Sequence, residues 1–407
     1  MTLPVYGNSL SLNQIATEFG GTGALALENY YAGGSYVASG AVGYPTGGSS
    51  VAIPSSGAIS MANFYGASAG PTFNGFYVPS TMNGSTTYAY MNSVAVNSSG
   101  LFVAVGWNVN NYPVYATSTN GSTWTTPALM NGSTASANMF SVTVNSSGLF
   151  VAVGYNGTSG MYATSTNGSN WTTPAAMNGS STQAYMLAVT VSSSGRFVAV
   201  GVASNLTSPV YATSTDGSTW TTPAAINGST AYAYMQSIAV NSSGLFVAVG
   251  YDGNDYPVYA TTANGTTWTT PANMNGSNTF AIMQSITVNS SGLFVAVGRN
   301  TNSYPLYATS ANGSTWTTPA LMNGSTAVGN MHSVAVNSSG LFVAVGQNVS
   351  IYPVYATSTN GSTWTTPTVM SGTSTSAFIY SVAVNSSGLF VAVGRNNSYY
   401  PVATYSY

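Results

Sequence analysis

Apolar positions along this chain fall in short runs separated by polar turn residues, and the arrangement recurs. Ser93-Val94-Ala95-Val96-Asn97 alternates with period two and predicts a strand with one buried face, called A here. The turn Ser98-Ser99-Gly100 leads into Leu101-Phe102-Val103-Ala104-Val105, a continuous apolar run that predicts a strand B buried on both faces. After a polar loop, Pro113-Val114-Tyr115-Ala116-Thr117-Ser118 predicts strand C. Asn120-Gly121 is a type I′ hairpin signal, because that turn needs φ > 0 at both central residues. It predicts a strand D over Ser122-Thr123-Trp124-Thr125-Thr126-Pro127, whose final proline suits an outer edge.

The unit repeats. Gly-Leu-Phe-Val-Ala-Val-Gly begins at Gly100, Gly148, Gly244, Gly292, Gly340 and Gly388, and with Arg196 in place of leucine at Gly195. Four-stranded antiparallel units with a period of about 48 residues predict an all-β, seven-bladed β-propeller. The seventh unit stops after strand C, at Pro401-Val402-Ala403-Thr404-Tyr405. Upstream of the first unit, Thr81-Met82-Asn83-Gly84 matches Leu129-Met130-Asn131-Gly132, which sets Phe76 on Trp124 and Pro79 on Pro127. Residues 74–79 are therefore expected to supply the missing strand D and close the ring, removing an open sheet edge. The expected domains are 1–70 and 71–407.

The turn between strands C and D, Ser118-Thr119-Asn120-Gly121-Ser122-Thr123-Trp124, resembles the Asp-box of sialidase-like propellers. Similar turns end at Trp171, Trp220, Trp268, Trp316 and Trp364, and only Asp216 keeps the acid. The resemblance implies the propeller fold, since this is a folding turn.

Residues 1–70 stand outside the repeat. Ser11 to Gly21 reads as a short helix, with a serine cap, a glutamine three residues on and a closing glycine. That phrase, with Asn29-Tyr30-Tyr31-Ala32-Gly33-Gly34-Ser35-Tyr36-Val37 and Ile53 to Tyr65, resembles a small module of tail and tail-fibre proteins of tailed bacteriophages. The resemblance implies a structural segment that joins virion components; the bland alternative is a cap packed on the propeller.

Charge narrows the function. Only 2% of the 407 residues are charged, there are 3 basic residues, and cysteine is absent. Without a basic field the surface has nothing with which to attract phosphate, so nucleic-acid binding is not expected. No apolar run approaches the length of a membrane span, and the start lacks a basic region followed by an apolar one, so no secretory signal is read. A protein assembled in a host cytoplasm and carried on a virion fits both observations.

No catalytic set, metal site or cofactor is predicted. Arg196 precedes a strand B while Arg299 and Arg395 follow one; at ~3.3 Å per residue these ends lie roughly 17 Å apart, so the three do not converge. Asp252 and Asp255 share one Asn/Gly loop and read as turn residues or a weak cation site rather than as catalytic carboxylates, and His332 reads as a surface or packing residue. The asymmetry between the two faces is more informative. A–B and C–D turns repeat one phrase, whereas B–C and D–A loops differ from unit to unit. The second face is therefore the expected ligand-binding face, with Trp107, Tyr112, Tyr155, Tyr251, Asp252, Asp255, Tyr256, Arg299, Tyr304, Tyr352, Arg395 and Tyr399 as its candidate residues. Aromatic and amide side chains suit glycan or protein surfaces. The expected protein is a tail-associated phage adhesin whose partners are other virion proteins, through residues 1–70, and a host-surface glycan or protein. A homo-oligomer is left open. The runner-up is a purely structural virion component, and a glycosidase stands third.

Overall fold

Each apolar run becomes one strand of a blade. In blade 1, strands A to D are Ala89–Val96, Phe102–Asn108, Pro113–Ser118 and Ala128–Leu129, hydrogen-bonded in that order. Seven such four-stranded antiparallel sheets make an all-β, seven-bladed propeller. The computed structural model describes residues 73–406 apart from 180–183, 206–207, 229–231, 277–279, 325–328 and 371–375, together with 42–46 and 49–52. The chain falls into two compact units, Met1–Asn74 with Tyr407, and Gly75–Ser406. In the first, Val42–Thr46 pairs antiparallel with Ser49–Ala52. The helix expected over Ser11 to Gly21, and the other two phrases that carry the tail-protein resemblance, lie outside the described residues. Among the described residues no helix is long and apolar enough to cross a membrane.

Strand B explains its own composition. Phe102 and Ala104 join a core cluster with Val391 and Val393 of the preceding blade. Val103 and Val105 face the other way, packing with Met130, Phe150 and Trp171 of the next. The core thus lies between blades, and a strand buried on both faces must be apolar throughout. One fully buried phenylalanine stands at the head of each strand B, from Phe102 to Phe390.

Three expectations about strands need correction. The segment 122–127 is not strand D; the outer strand is the two-residue Ala128–Leu129, opposite Tyr115 and Val114. Its place is taken by the Asp-box turn, in which the Asn120 side chain accepts from the N–H groups of Ser122 and Thr123 at 3.0 and 2.8 Å. Trp124 folds back to donate to the Gly121 carbonyl at 2.9 Å. Nor is the turn type I′, because Gly121 takes a positive φ of 75° and Asn120 does not. The side-chain bonds do the work that a backbone-only hairpin leaves to two left-handed residues.

Strands A and B also run further than the alternation suggests, so Trp107, Tyr155, Tyr251, Asp252, Arg299 and Arg395 sit on strand B rather than in loops. The ring is closed by the N-terminal side, but by Ser80–Thr81, opposite Ala403 and Val402, with a single bridge from Phe76 to Ser406. Phe76 does occupy the tryptophan place. It meets Tyr355 of blade 6 edge-on at 5.7 Å, where Trp171 meets Tyr115 of its own preceding blade at a tilt, at 6.2 Å.

Polar bonds stitch the blades. The Asn83 amide donates to Thr126 at 2.7 Å, and five equivalent asparagines do the same onto the next blade. The sixth-to-seventh seam carries Ser371 and Val78 at the corresponding positions, so both partners change together. Nearer the axis, Ser93 accepts from the Val142 N–H at 3.1 Å, and five other serines repeat the bond. Strand A of each blade touches strand A of both neighbours, the seventh and first included.

Candidate ligand-binding face

Strand A carries an irregularity in every blade. Its register against strand B slips by one residue, between Met91 and Ser93 in blade 1 and at the equivalent place in the other six. The residue left out of register is Asn92, Phe140, Leu187, Gln236, Gln284, His332 or Tyr380. Such a β-bulge re-aims one side chain per blade. It also accounts for the last glycine of the repeated segment. A Cβ at Gly106 would stand 1.6 Å from the Tyr90 carbonyl oxygen, and one at Gly346 1.7 Å from that of Asn330.

Beyond the bulge the paired residues are Tyr90 and Trp107, Asn138 and Tyr155, Tyr185 and Val202, Tyr234 and Tyr251, Ile282 and Arg299, Asn330 and Gln347, Phe378 and Arg395. With the bulge residue, these are three variable positions per blade in a frame that otherwise repeats. Because the A strands ring the axis, the variable sets gather at one end of it. The sets reach across to the next blade: Asn92 donates to the Met139 carbonyl at 2.9 Å, Tyr155 meets Tyr185 at 3.8 Å, and His332 meets Tyr380 edge-on at 5.9 Å. The sequence held the signal for the missed bulge residues. Aligned at the blade period, positions 90 and 92 vary between the nearly constant 89, 91 and 93.

The two arginines of the ring have different surroundings. Arg395 lies over the rings of Phe378, Tyr399 and Tyr90, at 4.0, 4.6 and 5.1 Å from their centroids. It also donates to the Tyr380 hydroxyl at 3.0 Å and to the Asn396 carbonyl at 3.2 Å. Tyr90 stacks on Trp107 at 4.1 Å. Blades 7 and 1 thus make an aromatic platform whose cation is already engaged. Arg299, by contrast, has an Nε with no hydrogen-bond partner in the protein.

The expectation for His332 is met only in part: it is neither on the outer surface nor in a core, but in this ring. As a residue it is half-buried, while its Nε2 is shut off from solvent. Burial pushes its pKa down to about 4, with Arg299 acting in the same direction and Gln347 against it. Burial likewise pushes the Tyr155 phenol up to about 12, helped by the Tyr185 hydroxyl, and it raises Tyr251 and Tyr380. Among the described residues seven buried side-chain polar atoms lack a protein partner at good hydrogen-bond geometry, although His332 and Gln347 lie close enough to act on each other. Six of them belong to this ring: Asn138 Oδ1, Gln284 Oε1, Arg299 Nε, Asn330 Oδ1, His332 Nε2 and Gln347 Oε1.

Around the ring lie the B–C loops. The Asp252 carboxylate accepts from the N–H groups of Asn254 and Tyr256, both at 2.9 Å, and Asn108 makes the same pair of bonds in blade 1. Asp252 is therefore a turn-building residue. Asp255 turns its carbonyl to the Ala281 N–H of the next blade at 2.8 Å; Asn111, Ser303, Ile351 and Tyr399 serve the same seam in their blades. Tyr112, Tyr256, Tyr304 and Tyr352 end these loops half-buried, while Tyr399 is exposed. Eight large apolar side chains are exposed among the described residues. Six of them, Tyr88, Val109, Tyr232, Phe280, Val349 and Tyr399, are in the loops of this face. Exposed apolar area gathered on one face marks a contact surface.

The opposite face holds Arg196, in the place of leucine; its aliphatic stem lies 3.0 Å from where a Cβ on Gly265 would be. It stands at the other end of strand B from the ring arginines. Asp216 is the one acid in an Asp-box. Burial would raise its pKa, but the N–H groups of Thr219 and Ser218 and the hydroxyls of Thr219 and Ser214 hold its carboxyl well below the usual range. No group of three or more His, Cys, Asp or Glu fit to hold a metal occurs among the described residues.

Seven four-stranded blades, six of them with an Asp-box, define a propeller of the sialidase-like architecture. The chain belongs to the BNR repeat-like domain family, whose sequence profile matches residues 162–393. BNR-repeat domains occur both in sialidases and in propellers without enzymatic activity. No curated protein matches the chain. Among solved structures it is similar to YCF48 bound to D1 peptide, at 14% identity and TM-score 0.58, covering 83% of this chain and 97% of that one. It is also similar to the BP39L lectin from Burkholderia pseudomallei, at 11% identity and TM-score 0.61, covering 78% and 99%. A protein of unknown function from Dyadobacter fermentans shares 13% identity at TM-score 0.51, covering 82% and 98%. At these identities the likeness is one of fold.

Proposed function

We propose that this chain is a non-enzymatic binding propeller of a tailed-bacteriophage virion, presenting its B–C loop face to a host-surface glycan while residues 1–70 join it to other tail proteins. One observation carries the binding part: three positions per blade vary within a repeating frame, and all lie at one end of the axis. A scaffold under packing constraint alone has no reason to concentrate its differences there. The fold suits the task, since a lectin and a peptide-bound protein share it. Against catalysis, Asp252 is consumed in building its own loop, and Arg196 stands apart from Arg299 and Arg395. The virion part rests on the phrases within residues 1–70 alone.

A second reading, a structural virion component with no host ligand, draws on the seam bonds. The B–C loops hydrogen-bond to the next blade, which gives them a role without any ligand. Two measurements separate the readings. On purified particles the protein should localise to the tail tip; a capsid or mid-tail position favours the structural reading. Full-length protein should adsorb to host cells, and alanine at Trp107, Tyr256 and Tyr304 should reduce adsorption at least ~10-fold, each ring contributing about 0.5–1.5 kcal/mol beyond its buried area. Full adsorption by the triple variant would remove this face from consideration.

A further inference from the structure

We propose that the ring-closing seam between blades 7 and 1 is a sugar subsite, a ledge made by Tyr88 and Tyr399 on which the apolar C–H face of a neutral pyranose stacks. This rests on the reading that the face binds glycan, and it adds the place and the part of the sugar that is recognised. Both rings are reachable, Tyr88 being 46% and Tyr399 45% exposed. They adjoin at an angle, 6.5 Å between centroids and 60° between planes. Each is held by neighbours. Tyr400 stacks on Tyr88 at 5.4 Å, while Arg395 and Tyr90 lie against Tyr399 at 4.6 and 5.7 Å. Rings fixed before a ligand arrives lose little freedom when it binds.

Position 399 is a costly place for a tyrosine. Its φ of 64° is left-handed, set by the bond from the Ala89 N–H to its carbonyl at 2.9 Å. Among the described residues four other seams carry this bond, at Asn111, Asp255, Ser303 and Ile351, none of them aromatic. A bulky left-handed residue with nearly half its ring in solvent gains little from packing, and such strain collects at ligand-contacting positions. The ledge also restricts what can sit on it. Arg395 already lies over the rings of Phe378, Tyr399 and Tyr90, so a cationic side chain would meet like charge. A tyrosine ring offers an apolar face and a hydroxyl at its rim. Asn397 and Ser398, exposed in the same loop as Tyr399, add an amide and a further hydroxyl. An apolar face bordered by neutral donors and acceptors matches a pyranose, whose C–H groups share a face and whose hydroxyls point outward.

The test uses the full chain, a panel of neutral gluco-, galacto- and manno-oligosaccharides, and sorbitol, which carries the hydroxyls of a hexose without a ring. At least one oligosaccharide should bind and compete with adsorption to host cells, and sorbitol should do neither. Tyr399→Asn and Tyr88→Ser should each weaken that binding about 10-fold. Tyr399→Asn should melt no lower than the parent, because asparagine suits the left-handed position. That separates a lost ligand contact from a damaged fold. Unchanged binding by both variants, equal competition by sorbitol, or a fall in the Tyr399→Asn melting temperature overturns the ledge; a fall would mean that the ring is kept for packing. Adsorption that no sugar of the panel competes overturns it as well, and its abolition by protease treatment of the cells would give the ledge to a protein partner. If Tyr399→Asn adsorbs like the parent while the Trp107/Tyr256/Tyr304 triple alanine does not, the glycan-binding face stands and only this seam is wrong. If the parent neither binds sugar nor adsorbs to cells, both readings fall.

Discussion

Ile351 holds a φ of 62°, a left-handed conformation that β-branched residues rarely adopt. Asn111, Asp255, Ser303 and Tyr399 do the same at 58–64° in their own blades. What fixes the angle is the seam: the Ile351 carbonyl must meet the Ala377 N–H, at 2.9 Å. Asparagine tolerates this region at much lower cost, so Ile351→Asn should stabilise the protein by about 1 kcal/mol, read from thermal or denaturant unfolding. An unchanged or lower midpoint would show that the seam does not impose strain on this residue. His332 sets a pH dependence. Its pKa falls from the ordinary 6.5 to about 4 on folding, so the unfolded chain takes up a proton first as pH drops. Its stability contribution is complete above pH 6.5, is lost as pH falls from 6.5 towards 4, and changes no further below that. The loss should approach about 3 kcal/mol. His332→Gln should flatten the stability profile across that window, and an unaltered slope would assign it to other groups.

Elements were legible to different degrees. Strand C and the body of strand B follow from local pattern, because an apolar run bounded by turn residues has few alternatives. The outer strand does not. Six residues with strand-like composition, 122–127, are instead claimed by Asn120 and Trp124 for the Asp-box, a side-chain arrangement that period-two reasoning does not see. The bulge in strand A escaped for a similar reason, since one extra residue shifts the alternation without changing composition. The latch lies between these cases. The offset of 48 places Phe76 correctly, yet the ladder forms at Ser80–Thr81, because only the two residues after the Asp-box segment pair in any blade. A chain beginning at Thr81 loses Phe76, which is 0% exposed, and half of that ladder. Burial of one such ring contributes about 2–3 kcal/mol, so this truncation should melt well below a chain beginning at Pro71, or aggregate through the bared edge. Equal midpoints would mean that the N-terminal strand does not hold the ring shut.

At the scale of the whole molecule, the scarcity of charge is the governing feature. Among the described residues the ring of variable positions and its loops carry Arg299, Arg395, Asp252 and Asp255 as formal charges, and Arg395 is enclosed by aromatic rings. Adhesion through this face should therefore vary less than about threefold between low and high salt, since screening acts only on charge. The measurement is adsorption of full-length protein to host cells across a salt series. A steep decline would assign the contact to the arginines instead. Each neutral contact is weak, and useful adhesion would come from many copies per particle.

The repeat by itself determined the blade count, the all-β class and the face on which blades differ, because each follows from local pattern compared at a fixed offset. Tertiary structure alone decided which side chains meet. That Tyr90 stacks on Trp107, that Arg395 is enclosed while the Arg299 Nε is left without a partner, and that His332 is shut away beside Gln347 depend on strand register and on the neighbouring blade. A bulge of one residue sets that register. It leaves the composition unchanged but turns each side chain that follows it to the other side of its strand.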